Sequence, residues 1–86
     1  MNTYRKALLL LRRFTDEHDD CLALMSNHDR GRDVWDVVDV SHPELYQRCT
    51  GTWLKGRSAC PLRAVMLAGR RLRVEQRLRY ILRERR

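Results

Sequence analysis

The side chains with the clearest chemical potential are arginines, and they are concentrated in the second half of the chain. Sixteen of the 18 basic residues are arginine, and the formal net charge of the 86 residues is +7. Residues 44–86 carry twelve Lys/Arg against three Asp/Glu, whereas residues 1–43 carry six against eight. Because the planar guanidinium binds phosphate in bidentate fashion, this asymmetry predicts a basic surface for a polyanion and an acidic-leaning surface elsewhere.

The sequence predicts that these arginines contact the phosphates of DNA or RNA. Most of them lie in the last seventeen residues, where Tyr80 is the only aromatic residue. Stacking on bases is therefore poorly supported, and we expect binding that does not depend on base sequence. Two simpler explanations stay open, since a high-GC genome also enriches arginine and a basic helix face also keeps a protein in solution. The expected phosphate contacts are Arg57, Arg63, Arg70, Arg71, Arg73, Arg77, Arg79, Arg83, Arg85 and Arg86.

The alternative function is that of a protein-binding adaptor or inhibitor, of the kind that phages and mobile elements encode. Such a protein would dock on an acidic protein surface through arginine and through aromatic residues, which are enriched at interface hot spots. The candidate anchors are Trp35, Tyr46 and Trp53. Large aromatic residues in a chain this small are more often core residues, so the alternative requires them to be exposed.

A homodimer is compatible with either function. The two halves, which differ in charge, would meet head to tail or across a two-fold axis. The valine-rich segment 34–40 is the expected interface. Dimerisation would double the basic surface, as many DNA-binding proteins require.

The sequence contains no pattern typical of an enzyme or a cofactor site. It lacks the glycine-rich phosphate loop, the dinucleotide-binding fingerprint and the zinc-protease and serine-hydrolase patterns. Cys21, Cys49 and Cys60 are interspersed with His28 and His42, but these residues are spaced too widely for typical zinc-ligand pairs. We therefore expect a protein that is not an enzyme, binds no metal or cofactor, and keeps its thiols reduced.

The elements that must position the arginines are predicted to be helices. Apolar residues recur at three- and four-residue steps over 3–26, with His18 on the same stripe, and indicate a first long helix. Residues 26–31 have the composition of a turn. Ser41 to Glu44 form a capping box, which predicts a second helix over 42–54.

The last helix is predicted over 61–84, after the breaker that ends at Pro61. Its apolar residues do not all fall on one face of a helix, and Gly69 marks a candidate kink or break. Segment 33–40 is ambiguous, because its valines favour a strand whereas its aspartates recur at helical spacing. Since no second strand-like segment is visible, we prefer a short helix there and keep a strand as the alternative.

Together these elements predict an all-α fold with three main helices in a single domain over residues 1–86. The length leaves no room for a second hydrophobic core. No apolar run approaches the eighteen residues of a membrane span, and the N-terminus lacks a signal-peptide cleavage pattern. The expected location is the cytoplasm, or the host cytoplasm if the gene is viral.

Overall fold

The chain folds as a mixed α/β domain of two helices and a three-stranded antiparallel sheet, so the expected all-α fold is wrong. The computed structural model describes residues 2–18, 21–40 and 54–84. The elements in chain order are α1 (Thr3–His18), β1 (Leu22–Asp29), β2 (Arg32–Asp39), β3 (Leu54–Ser58) and α2 (Pro61–Glu84). The strands lie in the order β1-β2-β3, and both neighbouring pairs are antiparallel.

The first helix is shorter than predicted, because the chain is already extended from Leu22 onwards. α1 ends at His18, whereas the apolar pattern indicates a helix over 3–26. Leu22 and Leu24 are alternate residues of β1, and both pack against the core. Apolar residues at such spacing fit one face of a strand as well as a helical stripe, and pairing with β2 decides between them.

β1 and β2 form a hairpin that is closed by only two residues. Arg30 and Gly31 both have positive φ angles, of 50° and 78°. Positive φ at both central residues is typical of a type I′ turn, whose twist matches that of the flanking strands. Asp29 pairs with Arg32 directly beside the turn, so the turn predicted over 26–31 is confined to its last two residues.

β2 is the central strand, so the preferred short helix over 33–40 is wrong and the alternative, a strand, is correct. β1 hydrogen-bonds to one edge of β2, and β3 hydrogen-bonds to the other. Its partners do not look like strands in the sequence, because β3 reads Leu-Lys-Gly-Arg-Ser and β1 ends in Ser-Asn-His-Asp. Over Trp35–Val38 both edges of β2 are paired within the chain, so this stretch offers no free strand edge to a second copy.

α1 begins at a residue that caps it, and α2 begins at a proline that follows a short turn. The side-chain Oδ1 of Asn2 accepts a hydrogen bond from the backbone N–H of Arg5 at 2.8 Å. At the start of α2, the backbone N–H of Cys60 donates to Ser58 Oγ at 3.3 Å. Pro61 then occupies the first helical position, where its missing N–H has no partner to lose. The predicted start of the last helix is confirmed.

α2 is continuous over Pro61–Glu84, so Gly69 does not break it as the sequence suggested. Gly69 is buried and lies against the ring of Phe14 in α1. A Cβ atom at position 69 would overlap with that ring, and the glycine therefore permits close packing of the two helices.

One hydrophobic cluster joins both helices to the sheet. It contains Ala7, Leu11 and Phe14 of α1, Val37 of β2, and Ala64, Val65 and Ala68 of α2. The small residues of α2 let its backbone approach β3, where a Cβ on Gly56 would meet the backbone of Ala64 and Ala68. The first twelve residues of α2 are thereby fixed on the sheet, and they set the direction of the rest of the helix.

Several predictions from the sequence fall outside the described residues. Of the predicted helix over 42–54, residues 42–53 are not described, and Leu54 begins β3. Within the described part of the chain, neither helix is long and apolar enough to cross a membrane.

Candidate nucleic-acid interface

α2 consists of a packed half and a projecting half. Its buried residues all lie in the first half, between Ala64 and Leu72. From Arg73 to Glu84 every residue is exposed except Glu75, which is half-buried. At 1.5 Å per residue, this second half extends about 18 Å beyond the packed core. Apart from Glu75, the side chains of the projecting half are exposed and accessible to a ligand.

Six arginines of α2 are exposed without an ion-pair partner among the described residues. We call Arg63, Arg70, Arg73, Arg77, Arg79 and Arg83 the arginine set. Four of them lie on the projecting half and fall within an arc of about 160° around the helix axis. Their positive charges are not neutralised within the described structure, which makes this arc the most basic surface that we can assign.

An open groove between α1 and α2 extends this basic surface towards the core. Its volume is about 760 Å³, and Leu10 and Phe14 of α1 line it together with arginines of α2. Arg63, Arg70 and Arg73 all border the groove. The packed half of α2 thus contributes arginines on the side where α1 leaves room for a ligand.

Arg71, which the sequence places among the phosphate contacts, holds α2 to the sheet. Its Nη1 donates to the backbone oxygen of Leu54 at 2.6 Å, and its Nε lies 3.1 Å from Glu75 Oε1. Glu75 in turn binds Lys55 Nζ, with both carboxylate oxygens at 3.1 Å. Because these contacts occupy the guanidinium, we leave Arg71 out of the candidate interface.

Arg57 is also engaged within the chain, on the sheet. Its Nε and Nη2 donate to the two carboxylate oxygens of Asp36 at 2.6 and 2.9 Å. Its Nη1 lies 3.2 Å from Asp29 Oδ2, and Asn27 Nδ2 donates to Asp36 Oδ2 at 3.1 Å. This cluster joins all three strands, so Arg57 is likewise left out of the candidate interface.

The Asp36 carboxylate is buried, and its charge depends on Arg57. The hydrogen bonds from Arg57 lower the pKa of Asp36, burial opposes them, and the bond from Asn27 adds to the lowering. Conversely, the hydrogen bond to Asp36 raises the pKa of Arg57, and burial opposes that shift. A buried carboxylate requires such a partner, since an unpaired charge in the interior is costly.

Of the three predicted aromatic anchors, the structure describes Trp35 alone. Trp35 is half-buried against the core, and its ring centroid lies 5.4 Å from that of Tyr4. Tyr46 and Trp53 lie outside the described residues, as do Arg85 and Arg86. The structure therefore gives Trp35 a packing contact with α1, which is the commoner role for a large aromatic residue in a chain this small.

Metal-ligating and nucleophilic side chains do not converge in the described part of the chain. No group of three or more His, Cys, Asp or Glu residues there could hold a metal ion. Cys21 is exposed, Cys60 is half-buried, and both are free thiols. His28 has Asp33 as a neighbour across the hairpin, with 3.1 Å between Nδ1 and Oδ1.

Sequence reasoning missed two features of this surface. The pairing of Asp36 with Arg57 joins residues that are 21 positions apart, and no local pattern announces it. The second is a row of exposed apolar residues on α2. The signal for it in the sequence is that the apolar residues of this helix do not all lie on one face. The comparisons with known proteins add no constraint, because no family model, no curated protein and no solved structure matches this chain.

Proposed function

We propose that this protein binds nucleic acid through phosphate contacts from the arginine set of α2. The observation that carries the proposal is the projecting half of this helix, which holds four unpaired arginines clear of the packed core. Guanidinium groups bind phosphate oxygens in bidentate fashion, and counterion release makes such contacts favourable on a polyanion. The proposal retains the cytoplasmic location expected from the sequence, where nucleic acid is accessible.

Duplex DNA fits the projecting half better than duplex RNA does. An α-helix with its side chains is about 10–12 Å wide, which matches the major groove of B-DNA at about 12 Å. The major groove of A-form RNA is deep and too narrow for side chains to read. Arg73 and Arg83 are ten residues apart, a rise of about 15 Å, so the arginines reach several phosphates along the groove.

The expected binding is independent of base sequence. Base readout requires side chains that are held in a fixed orientation, whereas phosphate contacts tolerate long flexible ones. No described neighbour fixes the guanidinium groups of Arg73, Arg77, Arg79 or Arg83. Tyr80 is the only aromatic residue of the projecting half, so base stacking contributes little.

Fluorescence anisotropy with random duplex DNA, single-stranded DNA and structured RNA, over a range of salt concentrations, tests this proposal. We expect micromolar binding to duplex DNA that weakens steeply as salt rises. The double variant Arg73→Ala/Arg77→Ala should lower the slope of log affinity against log salt by about 1.8, since each phosphate contact contributes about 0.9. The fold should be unaffected, because both residues are exposed.

The matched control is Arg5→Ala/Arg12→Ala, which removes the same charge from exposed positions on α1. A specific role for α2 requires that this control keep the wild-type slope. If both double variants lower the slope equally, the effect comes from net charge and not from α2. No binding at the lowest salt would contradict the proposal altogether.

Protein binding is the second candidate function, and a specific observation favours it. The projecting half carries exposed Val74, Leu78, Ile81 and Leu82 in addition to its arginines. Monomeric proteins seldom expose such a group of neighbouring apolar side chains without a partner. A protein that binds no nucleic acid but is retained by an acidic protein would favour this candidate over the first.

A further inference from the structure

A row of exposed apolar side chains runs along α2. We call it the apolar stripe; its members are between 37% and 63% exposed and are Leu67, Val74, Leu78, Ile81 and Leu82. From Val74 onwards they follow one another at steps of four, three and one, which keeps them within an arc of about 100°. Steps of four and three are typical of a helix that packs against another helix.

The apolar stripe does not continue the face that packs on the sheet. Continued along the helix, the face that buries Ala68 and Leu72 would include Gln76, Arg79 and Arg83, which are polar. The stripe is rotated from that face by roughly 120° about the helix axis. This rotation explains why the apolar residues lose phase along α2: the helix has two apolar faces, and only one is covered within the described structure.

We propose that a second copy of this chain covers the apolar stripe, with the two α2 helices antiparallel. Arg73, Arg79 and Arg83 lie on the opposite side of the helix, so pairing the stripes directs them away from the partner helix. Arg77 lies on the flank of the stripe and meets its own copy across the two-fold axis, so this pair of like charges must be offset by the contacts described next. The proposal does not depend on nucleic-acid binding.

Charge selects the antiparallel orientation. Helix packing at this spacing puts Arg71 in line with the stripe, between Leu67 and Val74. A parallel pair would bring the two copies of Arg71 together, whereas an antiparallel pair centred between Val74 and Leu78 places Arg71 beside Ile81 of the other copy. The antiparallel pair also places Arg70 opposite Glu84 of the other copy, twice by symmetry. Both residues are exposed and available for this contact.

The area of the stripe is sufficient for a reversible dimer. A half-exposed Leu, Ile or Val side chain presents on the order of 80–100 Å², so five of them on each copy bury on the order of 1,000 Å² with their flanks. This is near the lower limit of specific interfaces, the size range in which weak and transient associations lie.

Sedimentation velocity over a range of protein concentrations, without nucleic acid, tests the proposal. We expect the mass to rise from 10.3 kDa towards twice that value as concentration increases through the micromolar range. Leu78→Glu should give a monomer at every concentration, because it places a charge in the middle of the stripe. Tyr80→Glu is the matched control on the arginine side, and it should dimerise like the wild type. Circular dichroism should show unchanged helix content in both, since both residues are exposed.

A charge exchange tests the orientation. Arg70→Glu should weaken the dimer by opposing two carboxylates, and Arg70→Glu/Glu84→Arg should restore it. The two residues are fourteen positions apart in one helix, so restoration cannot arise within one chain. A wild-type protein that stays monomeric, or a Leu78→Glu variant that still dimerises, overturns the proposed interface. A dimer that the second substitution does not restore overturns the antiparallel orientation.

Discussion

Arg57 on the sheet and the arginines of the projecting half of α2 are the same kind of residue in opposite situations. Arg57 meets a buried carboxylate on β2 and a second one on β1, at distances of 2.6–3.2 Å. Arg73, Arg77, Arg79 and Arg83 meet no described carboxylate. The difference shows that charge counted along a sequence overstates a binding surface, because the fold assigns some cations to internal partners.

The largest expected effect is the loss of the ion pair on the sheet. Arg57→Ala leaves the Asp36 carboxylate buried with Asn27 as its remaining hydrogen-bond donor, and should lower the free energy of unfolding by about 3 kcal/mol. We take the lower end of the range for broken buried pairs because the Arg57 side chain is 33% exposed. Arg77→Ala, an exposed and unpaired position, should stay within about 0.5 kcal/mol of the wild type. Urea unfolding at neutral pH measures the free energy of unfolding of both variants. If both lose the same amount, the paired and unpaired arginines do not differ in their contribution to stability.

The pH dependence of stability should come in part from Asp36. Because the bonds from Arg57 hold the pKa of Asp36 below its ordinary value, this group stabilises the fold fully above its unfolded-state pKa of about 3.9 and ceases to do so as pH falls through the lowered folded value. The free energy of unfolding should therefore fall more steeply below about pH 4 in the wild type than in Asp36→Asn. Unfolding curves between neutral and strongly acidic pH measure this difference. If Asp36→Asn keeps the full acid dependence, other carboxylates account for it.

The smallest effect concerns Arg30, an arginine with neither of these roles. It occupies the first central position of the hairpin turn with a φ of 50°, a conformation that asparagine tolerates better than arginine. Arg30→Asn should raise the free energy of unfolding by about 0.5 kcal/mol and leave DNA binding unchanged. Thermal unfolding combined with the anisotropy assay measures both quantities. A loss of affinity would add Arg30 to the phosphate surface.

The parts of the fold that the sequence predicts are those with local signals. The last helix has a breaker before it, Pro61 at its first position and apolar residues along its length, and its bounds are correct. The strands are not predicted because a strand at β2 requires partner strands, and neither β1 nor β3 has a sequence typical of a strand. Polar side chains in β1 and a glycine at the centre of β3 are acceptable there only because of tertiary contacts, such as the packing of α2 against Gly56.

The candidate site is predictable to a similar degree. The sequence identifies the arginine-rich helix, and it shows that the apolar residues of this helix do not all lie on one face. It cannot separate Arg57 and Arg71 from the arginine set, because their partners, Asp36 and the backbone of Leu54, lie 21 and 17 positions away. Nor can it tell that the phase change marks a second face rather than a break at Gly69, since only the contact with Phe14 explains that glycine.

The two-residue turn between β1 and β2 has a consequence for the order of folding. A hairpin closed by so short a turn forms in about 1–10 μs, since little chain entropy is lost in joining its strands. β3 is separated from β2 by residues 40–53, so its pairing joins parts of the chain that are farther apart in sequence and is expected to be slower. Until then Asp36 is a solvated carboxylate on a two-stranded ribbon, which alone is marginally stable in water. The ion pair with Arg57 thus forms when the third strand docks and completes the sheet.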